Sequence, residues 1–196
     1  MIADLVQANR SCRRFYEDQP VDVKTLEELV NLARLSASGA NLQPLKYILS
    51  CQPEINAKIF SCLGWAAYLK DWPGPDPGER PSAYIVILGD TTISKDFGVD
   101  HGIAGQSALL GAREKGLAGC MIATVNRNRL RDILAIEAHL QILLVLAIGK
   151  PREEAVIETV GPEGSIRYWR DAEGVHHVPK RRLREIIVAS HASKPE

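Results

Sequence analysis

The sequence predicts a mixed β-sheet with helices packed on both of its faces. Three observations carry this. Two runs, 83–88 and 141–148, are almost continuously apolar, the pattern of strands buried on both faces. Between them, the stretch 97–116 places Ala104, Ala108 and Ala112 at helical spacing, with Gly98, Gly102, Gly105 and Leu109 on adjoining rows. Strands and helices interleave along the chain, but not as regular β-α-β units.

Taken in order, Ile2, Leu5 and Val6 form a short amphipathic helix ending near Asn9. The run Arg10-Ser11-Cys12-Arg13-Arg14-Phe15 follows. Arginine forks suit phosphate and a hydroxyl adds a neutral donor, so the run is a candidate anion-binding set. A solvated basic turn fits the same residues. Pro20 and Asp22 open a second helix, with Asp22 as N-cap and Leu26, Leu29, Val30 and Ala33 as its apolar stripe. That helix runs out in Ser36-Ala37-Ser38-Gly39-Ala40-Asn41-Leu42-Gln43-Pro44, an uncharged loop of small and amide residues. Such a loop can lay backbone N–H groups against a ligand, or simply end a helix. Residues 46–50 read as a strand, and Pro53 starts a helix with Ile55 and Ile59 on one face. Trp65, Tyr68 and Trp72 precede the proline- and glycine-rich run 73–81, which cannot be helix or central strand. The segment Trp65–Pro81 is expected to be a pocket wall or lid, or else a packed surface loop.

The glycines of 97–116 each cost up to about 1 kcal/mol against alanine in a helix. The expected return is close approach by another backbone, from the sheet, a second subunit, or both. Gly116 stops this helix. Residues 117–123 form a further strand, and Asn126 caps a helix through Leu134. The strand 141–148 closes at Gly149-Lys150-Pro151, and 161–164 is a turn. Residues 166–170 and 175–178 make a hairpin around Asp171-Ala172-Glu173-Gly174, before a basic run, 179–184, and a short helix through Val188.

The chain has 196 residues, 45% of them hydrophobic, which suits one domain spanning 1–196. A formal net charge of zero argues against nucleic-acid or anionic-membrane partners. No apolar run approaches a membrane span, and the N-terminus does not read as a signal peptide. Cys12, Cys51, Cys62 and Cys120 form no C-x-x-C pair, consistent with reduced thiols in a cytoplasmic protein.

Several sites are missing. No dinucleotide glycine fingerprint, P-loop, nucleophile elbow or H-E-x-x-H helix occurs, and none of the scattered histidines reads as a metal ligand. Asp100 and His101 are helix neighbours pointing about 100° apart, so Asp100 is expected to act as a helix N-terminal acid. Two basic clusters remain, 10–14 and 180–184, together with the loop 36–43. Converging clusters would hold a phosphate through bonds contributing roughly 1.5–3 kcal/mol each. A planar apolar ring would need small-residue walls like those of the loop. That combination suggests flavin mononucleotide (FMN), although composition alone does not choose flavin over another nucleotide.

Four segments resemble the nitroreductase family of FMN-dependent oxidoreductases, in the right order and across nearly the whole chain. Residues 10–15 are similar to its R-S-x-R-x-F opening, 36–44 to its S/P-S-x-x-N-x-Q-P loop, 116–120 to its G-L-G-x-C/A strand entry, and 174–183 to its G-x-x-H-V-P-K-R-x-L ending. The resemblance implies an α+β fold and an intertwined homodimer with FMN at the interface. It assigns Arg10, Ser11, Arg13, Lys180 and Arg182 to the phosphate and ribityl chain, with Arg13 also near the N1/C2=O edge. Ser38, Gly39 and Asn41 reach FMN from the partner subunit, and Met121, Ile122 and Ala123 lie against the ring, with a backbone N–H toward N5. The implied reaction is ping-pong. NAD(P)H reduces the flavin, which then reduces a nitroaromatic, quinone or similar small acceptor, with no catalytic side chain and no metal. Relatives specialised for dehalogenation, flavin fragmentation or azoline oxidation, and a flavin-binding protein without turnover, are the alternatives.

Overall fold

The structure, a computed structural model, describes residues 1–69 and 71–192. It divides into a first compact unit, Met1–Glu153, and a second that begins at Glu154. The first contains, in chain order, α1 (Ile2–Ala8), β1 (Phe15–Tyr16), α2 (Val23–Leu35), β2 (Leu45–Ser50), α3 (Pro53–Phe60), β3 (Ala83–Asp90), α4 (Asp100–Glu114), β4 (Ala118–Ile122), α5 (Arg127–Leu134) and β5 (Leu140–Pro151). Its sheet runs β1-β5-β3-β2, with β4 also paired to β5, and every one of these pairings is antiparallel.

Alternation of side chains along the strands feeds two cores. Ile85, Ile87, Leu146 and Ile148 face α2 and α4, meeting Leu26, Leu29, Ala108 and Ala112. Tyr84, Val86, Leu88, Val145 and Ala147 face the other way, with Ile59 of α3 and Leu130 of α5. Helices therefore cover both faces, as the apolar runs predicted. In β5 the alternation breaks once. Ile87 pairs with Leu144 and Leu88 with Ile142, which leaves Leu143 as an extra residue, a bulge. Ile142 and Leu144 consequently enter opposite cores although they are two apart. Arg127 braces the bulge, its Nε donating to the Ile142 carbonyl at 3.0 Å.

The local signals act as read. The Asp22 carboxylate accepts from Thr25 N at 2.6 Å, Asn126 Oδ1 from Arg129 N at 3.2 Å, and Pro53 stands at the start of α3. Helix α4 differs in two respects. It begins at Asp100, because Gly98 has a φ of 45° and Phe97 turns aside. The Phe97 ring fills the space over Gly89, where an added Cβ would lie 2.5 Å from Cε1. Within the chain, two of the α4 glycines receive side chains, while Gly102 has nothing within 4 Å of an added Cβ. A Cβ on Gly111 would lie 2.2 Å from Leu32 Cδ1, and one on Gly105 would lie 3.2 Å from Met121 Cε. The small residues are holes for knobs from α2 and β4.

Two parts of the segment 65–81 are packed down. Trp65 stacks obliquely on Phe60 and covers Gly74, and Glu17 accepts from the N–H groups of Gly78 and Arg80.

The second unit holds β6 (Ala155–Thr159), β7 (Trp169–Arg170), β8 (His176–Lys180) and α6 (Leu183–Ile186). β8 pairs antiparallel with β7, the expected hairpin, and parallel with β6. The parallel component of the fold thus lies in this second sheet. β6 has only the short apolar run Ala155-Val156-Ile157 before Glu158, and its pairing with β8 makes it a strand. α6 stops at Ile186, short of Val188.

One side chain ties this sheet together. The His177 ring stacks on Trp169, with centroids 4.0 Å apart, while Nδ1 meets Glu158 and Nε2 lies 3.0 Å from Asp171 Oδ2. Hydrogen bonds to Asp171 and then to Glu158 raise the His177 pKa, and the His177 contact lowers that of Asp171. The sign follows by linkage. The histidine contribution to stability is complete below its unfolded pKa of about 6.5 and is lost as pH rises through the raised folded value. The Asp171 contribution is present above the ordinary carboxylate range and is lost as pH falls through its depressed value. Proton NMR titration of the His177 ring should therefore give a midpoint above about 6.5 that falls in Asp171→Asn. An unchanged midpoint in the variant would dissolve the pairing.

Candidate functional site

The turn 10–14 is laid against the sheet by its backbone. Cys12 N donates to the Gly119 carbonyl at 3.0 Å, and Arg152 N donates to the Arg14 carbonyl at 2.9 Å. Cys12, Phe15 and Ala118 close a small core beneath it. The three arginines then separate by role. Arg14 forks onto both oxygens of Glu79, a bidentate pair that raises its pKa and uses its charge structurally. The N–H groups of Arg13 and Arg14 both donate to Glu153 Oε1, so a carboxylate of the protein already fills this backbone anion nest. Arg10 is different. Its Nη2 holds the Val6 carbonyl at 2.8 Å, but its Nε is buried and has no hydrogen-bond partner among the described residues. Burial lowers its pKa. Ser11 beside it is exposed.

Strand β4 brings a second group of residues to this turn. Ser11 and Arg13 both lie next to the Cys120 thiol, whose pKa is pushed up by burial and partly drawn back by them. Met121 packs over Gly105 of α4. Ile122 points into the opposite core, so only its backbone remains for a ligand. Ala123 is exposed, its carbonyl bonded to Arg127.

The loop after α2 is anchored to α4. Asp100 is buried; its Oδ2 accepts from the Ser38 hydroxyl at 2.6 Å and its Oδ1 from Gly39 N at 3.0 Å. Ser38 Oγ in turn accepts from Gln43 N at 2.9 Å. Ser36 Oγ meets Ser107 Oγ of α4 at 2.7 Å. Held in this way, Ala40, Asn41 and Gln43 take positive φ of 48°, 55° and 51°. Left-handed non-glycine residues cost about 1–2 kcal/mol each, and such strain gathers at functional segments. Gly39 and Asn41 are exposed at the tip. A cavity of about 130 Å³ lies beneath the loop, with Ser38, Gln43, Tyr47, Asp100 and Ala104 in its wall.

Lys180 ends β8 and Arg182 precedes α6, both exposed in the second unit. Among the described residues, no group of histidines, cysteines and acids could hold a metal ion. No helix there is long and apolar enough to cross a membrane. The Cys12 thiol is pushed up to about 12, chiefly by burial and then by Glu153, so it is not a nucleophile near neutrality. Asp100, Glu79 and Glu153 are the site residues that sequence reading missed or underrated. Asp100 read as a helix-terminal acid, and only the fold reveals the loop that it holds.

Comparison with known proteins points to one family. The nitroreductase family model matches residues 6–72 and 79–150. An Archaeoglobus fulgidus protein described as a "Putative NADH dehydrogenase/NAD(P)H nitroreductase" is 26% identical over 158 residues, covering 76% of this chain and 85% of the relative. A 4-nitrobenzoate reductase of Pseudomonas putida is 21% identical over 203 residues, covering 80% and 88%. Among solved structures, a nitroreductase family protein from Clostridium novyi NT superposes with a TM-score of 0.65 at 20% identity, over 78% of this chain and 87% of that one. An FMN-dependent nitroreductase from Clostridium difficile R20291 gives 0.64 at 21% identity, over 79% and 89%. With both stretches of the family model falling on the turn, loop, strand and helix described above, the chain belongs to the nitroreductase family.

Proposed function

We propose that the protein is an FMN-dependent oxidoreductase that takes reducing equivalents from NAD(P)H and passes them to a nitroaromatic, quinone or similar small acceptor. The observation that carries this reading is the buried, unpartnered Nε of Arg10 beside the exposed Ser11, at the turn that packs on β4. A donor buried without an acceptor is costly, and a phosphate would satisfy it. The rest of the site fits the same group. Gly102 has open space where a Cβ would be, and Gly39 meets only an Asp100 oxygen at 3.7 Å, leaving room beside α4 for a flat ring. Relatives supply the chemical class, since one is a 4-nitrobenzoate reductase and one structural neighbour is FMN-dependent.

Arg10, Ser11 and Arg13 would hold the phosphate and ribityl chain. Sequence resemblance, rather than geometry, adds Lys180 and Arg182. Met121, the Ile122 backbone and Ala123 would face the ring, and Ser38, Gly39 and Asn41 would reach it from the partner subunit. FMN, when bound, supplies the two-electron carrier between donor and acceptor. The residues bind, orient and exclude water, and no side chain is needed as nucleophile. The free cysteines agree with a cytoplasmic setting. A cavity of about 130 Å³ is too small for a whole mononucleotide, which favours a site completed by a second copy. So do the exposed apolar residues Ile2, Leu35, Val99 and Leu183.

An anaerobic absorbance titration tests the function. Flavin bands should be present and should bleach with NADH or NADPH. Bands that persist with both nucleotides would remove the donor, and no flavin even after adding FMN would remove the cofactor. Arg10→Ala should weaken FMN by roughly 1.5–3 kcal/mol, on the order of 10- to 150-fold, when apoprotein is titrated. Unchanged affinity would take Arg10 out of the site. Sedimentation should give a dimer. A folded monomer that binds FMN tightly would end the shared-site reading.

A further inference from the structure

A second cavity, of about 100 Å³, opens in the first unit where α3 packs beside the start of β3. Arg80 and Ser82 lie in the bend that leads into β3, and Tyr84 in the strand itself. All three line this cavity, and each carries a buried polar atom without a hydrogen-bond partner among the described residues: Arg80 Nε, Ser82 Oγ and Tyr84 Oη. Tyr84 has no exposed surface at all. Burial pushes its phenol pKa up, so it is a protonated donor. Three unpaired groups in one wall are far from the rule that buried polar atoms are satisfied.

The surroundings narrow the chemistry. Asn56 is already committed, donating to the Ser82 carbonyl at 2.8 Å and accepting from Ser50 Oγ at 2.7 Å. The Glu17 carboxylate is held by the N–H groups of Gly78 and Arg80. The Arg80 guanidinium lies 4.4 Å over the Phe60 ring, which fixes its plane. The wall therefore offers a cationic N–H and two hydroxyls as unpaired donors; Glu17, the carboxylate that also lines it, has its Oε2 engaged by the Gly78 and Arg80 N–H groups, while prolines and Phe60 supply apolar surface. The volume equals roughly three waters at about 30 Å³ each.

We propose that this cavity binds a small carboxylate of acetate to propionate size. Its oxygens accept from Arg80, Ser82 and Tyr84, and its alkyl end lies against Phe60. The site uses none of the residues assigned to FMN.

The test is an NMR titration of the ¹⁵N-labelled full-length protein with sodium propionate, at matched ionic strength in chloride, with propionamide as the neutral control. Saturable shifts are expected at the amides of 51, 56–60 and 80–84. Affinity should fall about tenfold or more in Tyr84→Phe and in Ser82→Ala. Both variants remove only an unpaired hydroxyl, and an otherwise unchanged amide spectrum verifies their fold. Absence of saturable shifts would mean that waters alone fill the cavity and would overturn the proposal. So would equal affinity for propionamide, or full affinity in both variants.

Discussion

Burial of β3 on both faces is the constraint on which the first unit depends. It gives the strand two cores instead of one, and it removes the usual cue for register. In a sheet with one wet face, a one-residue slip exposes every apolar side chain. Here a slip only exchanges one apolar face for another, so shape has to decide. Gly89 admits the Phe97 ring and no Cβ, which fixes one end of β3. The Leu143 bulge, braced by Arg127, fixes the opposing strand. Arg127 holds carbonyls that the bulge removes from the ladder, so its role is geometric before it is electrostatic.

With the sheet in register, α4 becomes the part that relates the two halves of the candidate site. Its first turn presents Asp100 to the loop after α2, and one turn on Gly105 accepts Met121 from β4. Small residues on α4 let both neighbours come close. A side chain at Gly105 would press on Met121 of β4. At Gly111, where a Cβ would lie 2.2 Å from Leu32 Cδ1, the cost of glycine in a helix is offset by the packing of α2.

Much of this was legible in the sequence. The apolar runs identified β3 and β5, Asp22 and Asn126 marked helix starts, and the small-residue period identified α4. These signals are local, so they survive without knowledge of the fold. The separation of Arg14 from Arg10 was not legible. It depends on Glu79, which is distant in sequence and lies in an irregular segment, and on Glu153 filling the backbone nest. Asp100 stands in the first turn of α4 as expected, but its hold on Ser38 and Gly39 was not legible, since helix-end electrostatics is a local rule and that contact is a tertiary one. β6 was invisible because it is stabilised by a partner strand rather than by its own composition. The glycines of α4 signalled close packing, but whether a backbone or a side chain filled the space needed coordinates.

The left-handed residues after α2 carry a consequence for how a ligand arrives. Ala40, Asn41 and Gln43 are held in costly conformations by Asp100 and Ser38 before anything binds. Their entropy is therefore lost during folding, and a ligand bound at this loop would meet a preorganised rim rather than a search among loop conformers. Capture at such a rim is governed by diffusion and charge rather than by a loop rearrangement. Discrimination among ligands then resides chiefly in how long each one stays.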